Sequence, residues 1–226
     1  MNKIACIIGA TGLVGSKLVL LLVKNPEYKK IKVFSRRSLD FTDEKIEEFI
    51  INFDNEESWK EDLKGDVLFS CLGTTLKIAG SKNEQFKIDF TYQFNFAKIA
   101  SANQIKEYVL ISSAGANSES NVFYSQMKGQ LDQAVKGLDF DVIRIIKPSV
   151  LDGNRKEKRT AEKMAIKTLN KLAPKVGFLK RYKPIKDYKV AQAMINSVKD
   201  YPDLKLREYE LDEVLELGNR NLWGDN

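Results

Sequence analysis

The stretch Ile4-Ala5-Cys6-Ile7-Ile8-Gly9-Ala10-Thr11-Gly12-Leu13-Val14-Gly15 decides the fold. A continuous apolar run of five residues is how a strand buried on both faces reads in a parallel sheet. A turn leading directly from such a strand into a helix needs glycine for three reasons. Gly9 permits the tight turn, Gly12 lets backbone approach a pyrophosphate, and Gly15 lets the helix pack closely on the strand. The helix is expected over residues 13 to 24, with its free N–H groups and positive dipole end aimed at a phosphate. Thr11, Leu13 and Val14 belong to the same cradle. The strand–turn–helix context points to a dinucleotide or mononucleotide phosphate site rather than a plain turn.

Working outward, 226 residues with 43% apolar and 10% aromatic content suffice for one substantial core and not for two large ones. A single domain is expected over residues 1–226, with residues 154–226 as a small substrate cap within it. No stretch approaches the roughly 20 apolar residues needed to cross a bilayer, and the amino terminus does not read as a secretory signal. A soluble protein with no membrane partner follows. Cys6 and Cys71 both stand in strand-like runs, where reduced cysteines act as small core residues, and a reducing cytoplasm fits them. Histidine is absent, which excludes a histidine base, a histidine metal ligand and a serine–histidine–aspartate triad. No metal site is expected.

The net charge of +6 is unevenly spread. Residues 154–189 hold thirteen Lys or Arg against three Asp or Glu, and residues 199–226 hold eight acids against four bases. The basic stretch reads either as solvated helix faces or as the lining of an anionic-substrate site. It lacks the interleaved aromatics of a nucleic-acid surface, so nucleic acid is not an expected partner.

Further apolar runs of strand length recur at residues 31–35, 49–53, 67–72, 108–112 and 142–146. Helix-patterned stretches separate most of them, which implies an α/β fold with a doubly wound parallel sheet. Phe86, Phe90, Phe94, Ala97 and Ala100 repeat at helical spacing as a long crossover helix, whose phenylalanines suit either a core or a homodimer surface. Residues 160–173 read as an amphipathic helix stopped by Pro174, residues 187–198 as another, and residues 208–217 as a last strand.

Tyr124 and Lys128 stand four apart, one turn along one helix face. A tyrosine with an ammonium beside it is suited to donating and accepting a proton, because the cation stabilises the phenolate. Upstream, the run Tyr108-Val109-Leu110-Ile111 delivers Ser112 and Ser113 to the carboxyl edge of the sheet. Ser113, just past that edge, is the candidate for orienting a carbonyl oxygen. A surface Tyr/Lys pair is the alternative reading.

These residues carry a resemblance. The glycine turn, Ser70-Cys71-Leu72-Gly73-Thr74-Thr75, Ile111-Ser112-Ser113-Ala114-Gly115-Ala116 and Tyr124-Ser125-Gln126-Met127-Lys128-Gly129 resemble the atypical short-chain dehydrogenase/reductases, more narrowly the Tat-interacting-protein-like oxidoreductases. The similarity covers residues 3 to about 153 and is loose beyond. It implies a Rossmann-type fold, bound NADPH, and a Ser-Tyr-Lys set handling the proton. Tyr124 is then acid or base, Lys128 holds the nicotinamide ribose, and Ser113 orients the substrate carbonyl. Gly73 and Thr74, with Cys71, Leu72 and Ser112, would line the cofactor. Asn52 and Phe53 fall where the family has an aspartate and an apolar residue against adenine. Pro148 matches a family proline near the nicotinamide, with Lys147 and Ser149 replacing the usual arginine and glycine. Asp89 lies where an acid or amide often faces the site, although a solvated helix carboxylate is the simpler reading.

At the end of the second strand, where an acid would bind the 2′-hydroxyl of NAD, stand Ser35, Arg36 and Arg37. A guanidinium matches a phosphate bidentately, so NADP(H) is favoured over NAD(H). The reading is therefore an NADP(H)-dependent oxidoreductase acting on a small carbonyl or alcohol. A cofactor-binding regulatory protein comes second and a nucleotide-sugar epimerase or dehydratase third.

Overall fold

The computed structural model describes residues 2–152 and 183–221. The opening strand β1 (Lys3–Ile8) turns into α1 (Leu13–Lys24), matching the expected helix at both ends. There follow β2 (Tyr28–Ser35), β3 (Ile46–Ile50) and β4 (Val67–Ser70). Two short helices, α2 (Leu76–Ala79) and α3 (Lys82–Phe86), lead through a π-helical turn at Lys87–Thr91 into α4 (Tyr92–Ala102). β5 (Glu107–Ile111), α5 (Phe123–Lys136) and β6 (Val142–Lys147) complete the first part. The two-residue strands β7 (Leu151–Asp152) and β8 (Ile185–Lys186) pair with each other, and α6 (Asp187–Ser197), β9 (Leu206–Glu210) and α7 (Asp212–Asn219) close the described chain.

Seven strands form one sheet in the order β3-β2-β1-β4-β5-β6-β9, every pair parallel. Strand order reverses between β1 and β4, which opens a crevice at their carboxyl ends. The near-continuous burial of β1 and β4 follows from helices on both faces. On one face Val14, Leu18 and Leu22 of α1 pack with Val190 and Met194 of α6. On the other, Phe96 and Ala100 of α4 and Leu131 and Val135 of α5 cover Leu68, Leu110 and Ile145. Trp59 stacks on Phe96 at 3.9 Å between ring centroids and donates from Nε1 to the Asn52 carbonyl at 3.2 Å, so its one polar atom is satisfied in the core.

Three expectations shift. The strand read at residues 49–53 ends at Ile50, because Asn52 Oδ1 accepts the Asp54 N–H at 3.0 Å and turns the chain. Residues 208–217 are not one strand. β9 stops at Leu211, which sits in the left-handed region at φ +47°, and Asp212 and Glu213 open α7, with Glu213 Oε2 accepting the Glu210 N–H. The long crossover helix is present but carries the π turn at its middle. The helix expected at 160–173 and most of the basic stretch lie outside the described residues. Of the region read as a cap, residues 183–221 supply the helices α6 and α7 and the last strand of the central sheet.

Candidate active site

Each glycine of the opening turn meets a different steric limit. Gly9 has φ +79°, and a Cβ there would fall 2.4 Å from the backbone carbonyl of Cys71 at the end of β4. Gly12 donates its N–H to the Gly9 carbonyl at 2.9 Å, and a Cβ on Gly15 would lie 2.2 Å from that same oxygen. Gly12 caps α1 with no side-chain acceptor, and the first turn contains no acid. Thr11 and Gly12 are exposed, Leu13 is half-buried and Val14 is buried. The first-turn N–H groups therefore face outward over a smooth backbone cradle with no side chain competing for them. That combination fits a pyrophosphate.

On either side of the cradle the carboxyl ends of the sheet bring the remaining candidates to one edge. At the end of β2, buried Ser35 donates its hydroxyl to the Arg37 carbonyl and fixes the turn, leaving Arg36 and Arg37 exposed beside β1. After β3, Asn52 is exposed whereas Phe53 is drawn into the core between Tyr92 and Phe96, at centroid distances of 5.1 and 5.4 Å. Cys71 N–H continues the β1–β4 pairing by donating to the Ile8 carbonyl, and its half-buried side chain places Sγ 3.7 Å from Met194 Sδ. Burial pushes both thiols up, Cys6 to about 12, so neither is a ready thiolate. Leu72 is half-buried and Gly73 exposed beyond it.

Asp89 is not a solvated carboxylate. It is 2% exposed on the π turn, and its Oδ1 accepts the Thr74 N–H at 2.6 Å. Gln93, four residues on, donates to the Asp89 carbonyl at 2.6 Å and accepts from the Ser70 hydroxyl at 2.7 Å. The extra residue of the π turn lets both side chains face β4, an arrangement that a helical repeat alone does not announce.

Past β5, Ser112 N–H donates to the Ile146 carbonyl at 2.8 Å and Ala114 N–H to the carbonyl of buried Pro148 at 3.0 Å. The β5–β6 pairing is thereby extended beyond the strands, with Ser113 held between its two bonds. Successive side chains in such an extension alternate in face. Ser112 turns into the protein and donates to Asp132 Oδ2 at 2.9 Å, while Ser113 is half-buried and its hydroxyl donates to the neighbouring Ala114 carbonyl at 3.3 Å. On α5, Tyr124 is 43% exposed and Lys128 is 4% exposed, its Nζ donating to the Ile111 carbonyl at 3.0 Å. Gly129 completes the local design: a Cβ there would lie 2.2 Å from the Ser118 N–H nitrogen, so only glycine lets the loop after β5 lie on α5. The sequence reading passed over Asp132, although it stands four residues after Lys128 on the same helix face. Among the described residues no group of three or more His, Cys, Asp or Glu is arranged to hold a metal.

A parallel sheet with this cradle at its switch point defines an NAD(P)-binding Rossmann protein. Residues 4–83 match the family model described as semialdehyde dehydrogenase, NAD binding domain. The chain is 33% identical to protein FMP52-1, mitochondrial, of Scheffersomyces stipitis, over 94% of this chain and 97% of that one. It is 35% identical to protein fmp52, mitochondrial, of Emericella nidulans, over 70% and 71%, and 32% identical to protein HTATIP2 of Rattus norvegicus, over 76% and 72%. The chain belongs to this FMP52/HTATIP2 family of Rossmann-fold proteins. Among solved structures it resembles a UDP-galactose 4-epimerase, with TM-score 0.68 at 15% identity over 91% and 76% of the two chains. It also resembles the oxidoreductase ylbE from Lactococcus lactis, with TM-score 0.54 at 20% identity over 70% and 72%. These two likenesses concern the fold.

The relatives correct one expectation. The reduced cysteines suggest a cytoplasmic protein, but several fungal relatives are named mitochondrial proteins, which overturns that expectation. A reduced cysteine in a strand reports packing and carries no address. No helix among the described residues is long and apolar enough to cross a membrane.

Proposed function

We propose that this chain is an NADP(H)-dependent oxidoreductase that interconverts a small carbonyl compound and its alcohol. The observation that carries the reading is the placement of exposed Tyr124 one turn from buried Lys128, whose ammonium is tied to the end of β5, on the sheet edge that holds the glycine cradle. When bound, the nicotinamide supplies or accepts the hydride.

The chain's own groups do the rest. The N–H groups at the start of α1 hold the pyrophosphate, and Gly73 and Thr74 line the ribose side. Arg36 and Arg37 hold the 2′-phosphate, since no acid stands there to prefer a free hydroxyl. Ser113 donates a hydrogen bond to the substrate oxygen. Tyr124 gives that oxygen its proton in reduction and takes it back in oxidation. Lys128 contributes a fixed positive charge beside the phenolate so formed. The substrate is a small molecule, and an anionic one suits the basic balance of residues 154–189.

The test is a titration of the purified protein with NADPH and with NADH at one salt concentration, followed by quenching of protein fluorescence. Binding of NADPH at least tenfold tighter than NADH is expected. Equal affinity removes the NADP assignment, and no binding of either removes the oxidoreductase reading.

A further inference from the structure

The inner face of α5 continues beyond Lys128 into a second buried ionic residue. Asp132, 2% exposed, lies one turn further along, and two elements of the sheet converge on it. Ser112 at the exit of β5 donates to its Oδ2 at 2.9 Å, and Lys147 at the end of β6, 7% exposed, places Nζ 3.6 Å from the same oxygen. Lys147 is held in turn by Glu208 and, at 3.4 Å, by Glu210 of β9, and Glu208 also pairs with Lys136 of α5. The other carboxylate oxygen, Oδ1, is buried without a hydrogen-bond partner among the described residues.

This arrangement is costly for stability. A buried polar atom left unpaired costs about 1–3 kcal/mol, and buried ion pairs are often matched by apolar residues of like volume. Burial pushes the Asp132 carboxyl up from its ordinary value despite the Ser112 hydroxyl and the charges of Lys128 and Lys147, so the ionised form is disfavoured by the fold. Yet the same carboxylate lies 3.6 Å from the Lys147 ammonium and one turn along α5 from Lys128, whose charge also favours its ionised form. It also bonds the residue immediately before Ser113.

We propose that Asp132 is a positioning residue of the site. By anchoring Ser112 and balancing Lys128 and Lys147, it holds the exits of β5 and β6 against α5, in the register at which Ser113, Lys128 and the nicotinamide half of the cofactor meet. It has no role toward the adenine half, which lies across the switch point beyond β1. The inference rests on the proposal that the chain binds NADP(H).

The experiment compares two ligands in the full chain: NADPH, and adenosine 2′,5′-bisphosphate, which carries only the adenine half. Asp132→Asn keeps the shape and a hydrogen-bonding atom toward Ser112 but removes the charge. It is expected to weaken NADPH about tenfold while changing the bisphosphate affinity less than twofold, with no fall in melting temperature. Ser112→Ala, which severs the anchor from the other side, is expected to narrow the same ratio about threefold and decides the matter if the first variant does not fold. An unchanged ratio in both variants, or equal weakening of both ligands, overturns the positioning role. If wild type binds the bisphosphate and NADPH but the ratio never moves, only this inference falls. If wild type binds neither, the cofactor reading falls and takes it along.

Discussion

The carbonyl oxygen of Gly9 lies 2.2 Å from the point that a Cβ on Gly15 would occupy, well inside any real carbon–oxygen contact. The turn and the first helix are therefore one steric unit, and α1 can start this close to the turn only because residue 15 has no side chain.

Gly15→Ala is accordingly expected to push α1 off β1, lowering stability by about 2–4 kcal/mol, in the range of overpacked and strained sites, and abolishing measurable NADPH binding. Gly137→Ala is the control. It ends α5 at φ −82°, and its added Cβ would meet only the Ala134 carbonyl at 3.8 Å. That variant is expected to keep binding and to gain about 0.4–1 kcal/mol. Urea unfolding and cofactor titration of the two variants check the contrast.

Arg36 and Arg37 are exposed at the end of β2 and are assigned to the 2′-phosphate. Charge-assisted hydrogen bonds contribute about 1.5–3 kcal/mol each, so replacing both by alanine is expected to weaken NADPH roughly 10²- to 10⁴-fold and leave NADH unchanged. Equal loss for both cofactors would mean that the arginines support the turn rather than read the phosphate.

Arg144 is a structural counterpart, fully buried on β6. Its guanidinium donates to the carbonyls of Ser197, Leu204, Asp200 and Tyr201 at 2.9–3.0 Å, tying the end of α6 and the segment before β9 to the sheet. A lysine has fewer donors on a flexible stem and cannot reach this spread of acceptors. Arg144→Lys is expected to cost at least about 3 kcal/mol, a fall of roughly 6–12 °C in melting temperature for a chain of this size. A fall under 2 °C would contradict the clamp.

Glu208 sets a pH dependence. Burial raises its carboxyl, but hydrogen bonds from Lys136 and Lys147 outweigh that and hold it below the usual glutamate value of 4.5. A folded value below the unfolded one gives stability that is present above about pH 4.5 and lost as pH falls through the folded value. Wild type is thus expected to exceed Glu208→Gln in stability at pH 6–7, and the difference should shrink as the pH is taken down from 4.5. Parallel stability curves down to pH 3 would remove the charge pairing from the account.

How far the sequence could be read depended on range. The turn from Gly9 to Gly15 was legible because its constraints are local: one strand, one turn and one helix fix all three glycines. The Tyr124/Lys128 spacing was legible for the same reason. Asp89 was misread as solvated because its burial depends on a π turn, and helical periodicity does not report where a helix adds a residue. Residues 208–212 alternate like a strand, and the alternation fails at Asp212-Glu213 and Val214-Leu215, where the positive φ of Leu211 ends the strand and α7 begins. Asp132 stood in plain view on the helix face of Lys128, but its partners Ser112 and Lys147 come from the ends of two other elements, β5 and β6. Cellular location was not legible from two reduced cysteines.

The central claim is that Tyr124 transfers a proton in an NADPH-dependent reduction. The most direct measurement is NADPH oxidation by wild type and by Tyr124→Phe, at saturating cofactor, across a panel of small aldehydes and ketones that includes anionic members. The account predicts turnover of at least one member by wild type, a loss of 10²- to 10⁴-fold in the variant, and an unchanged affinity for NADPH. Equal turnover by both proteins, or none by wild type with NADPH bound, would contradict it.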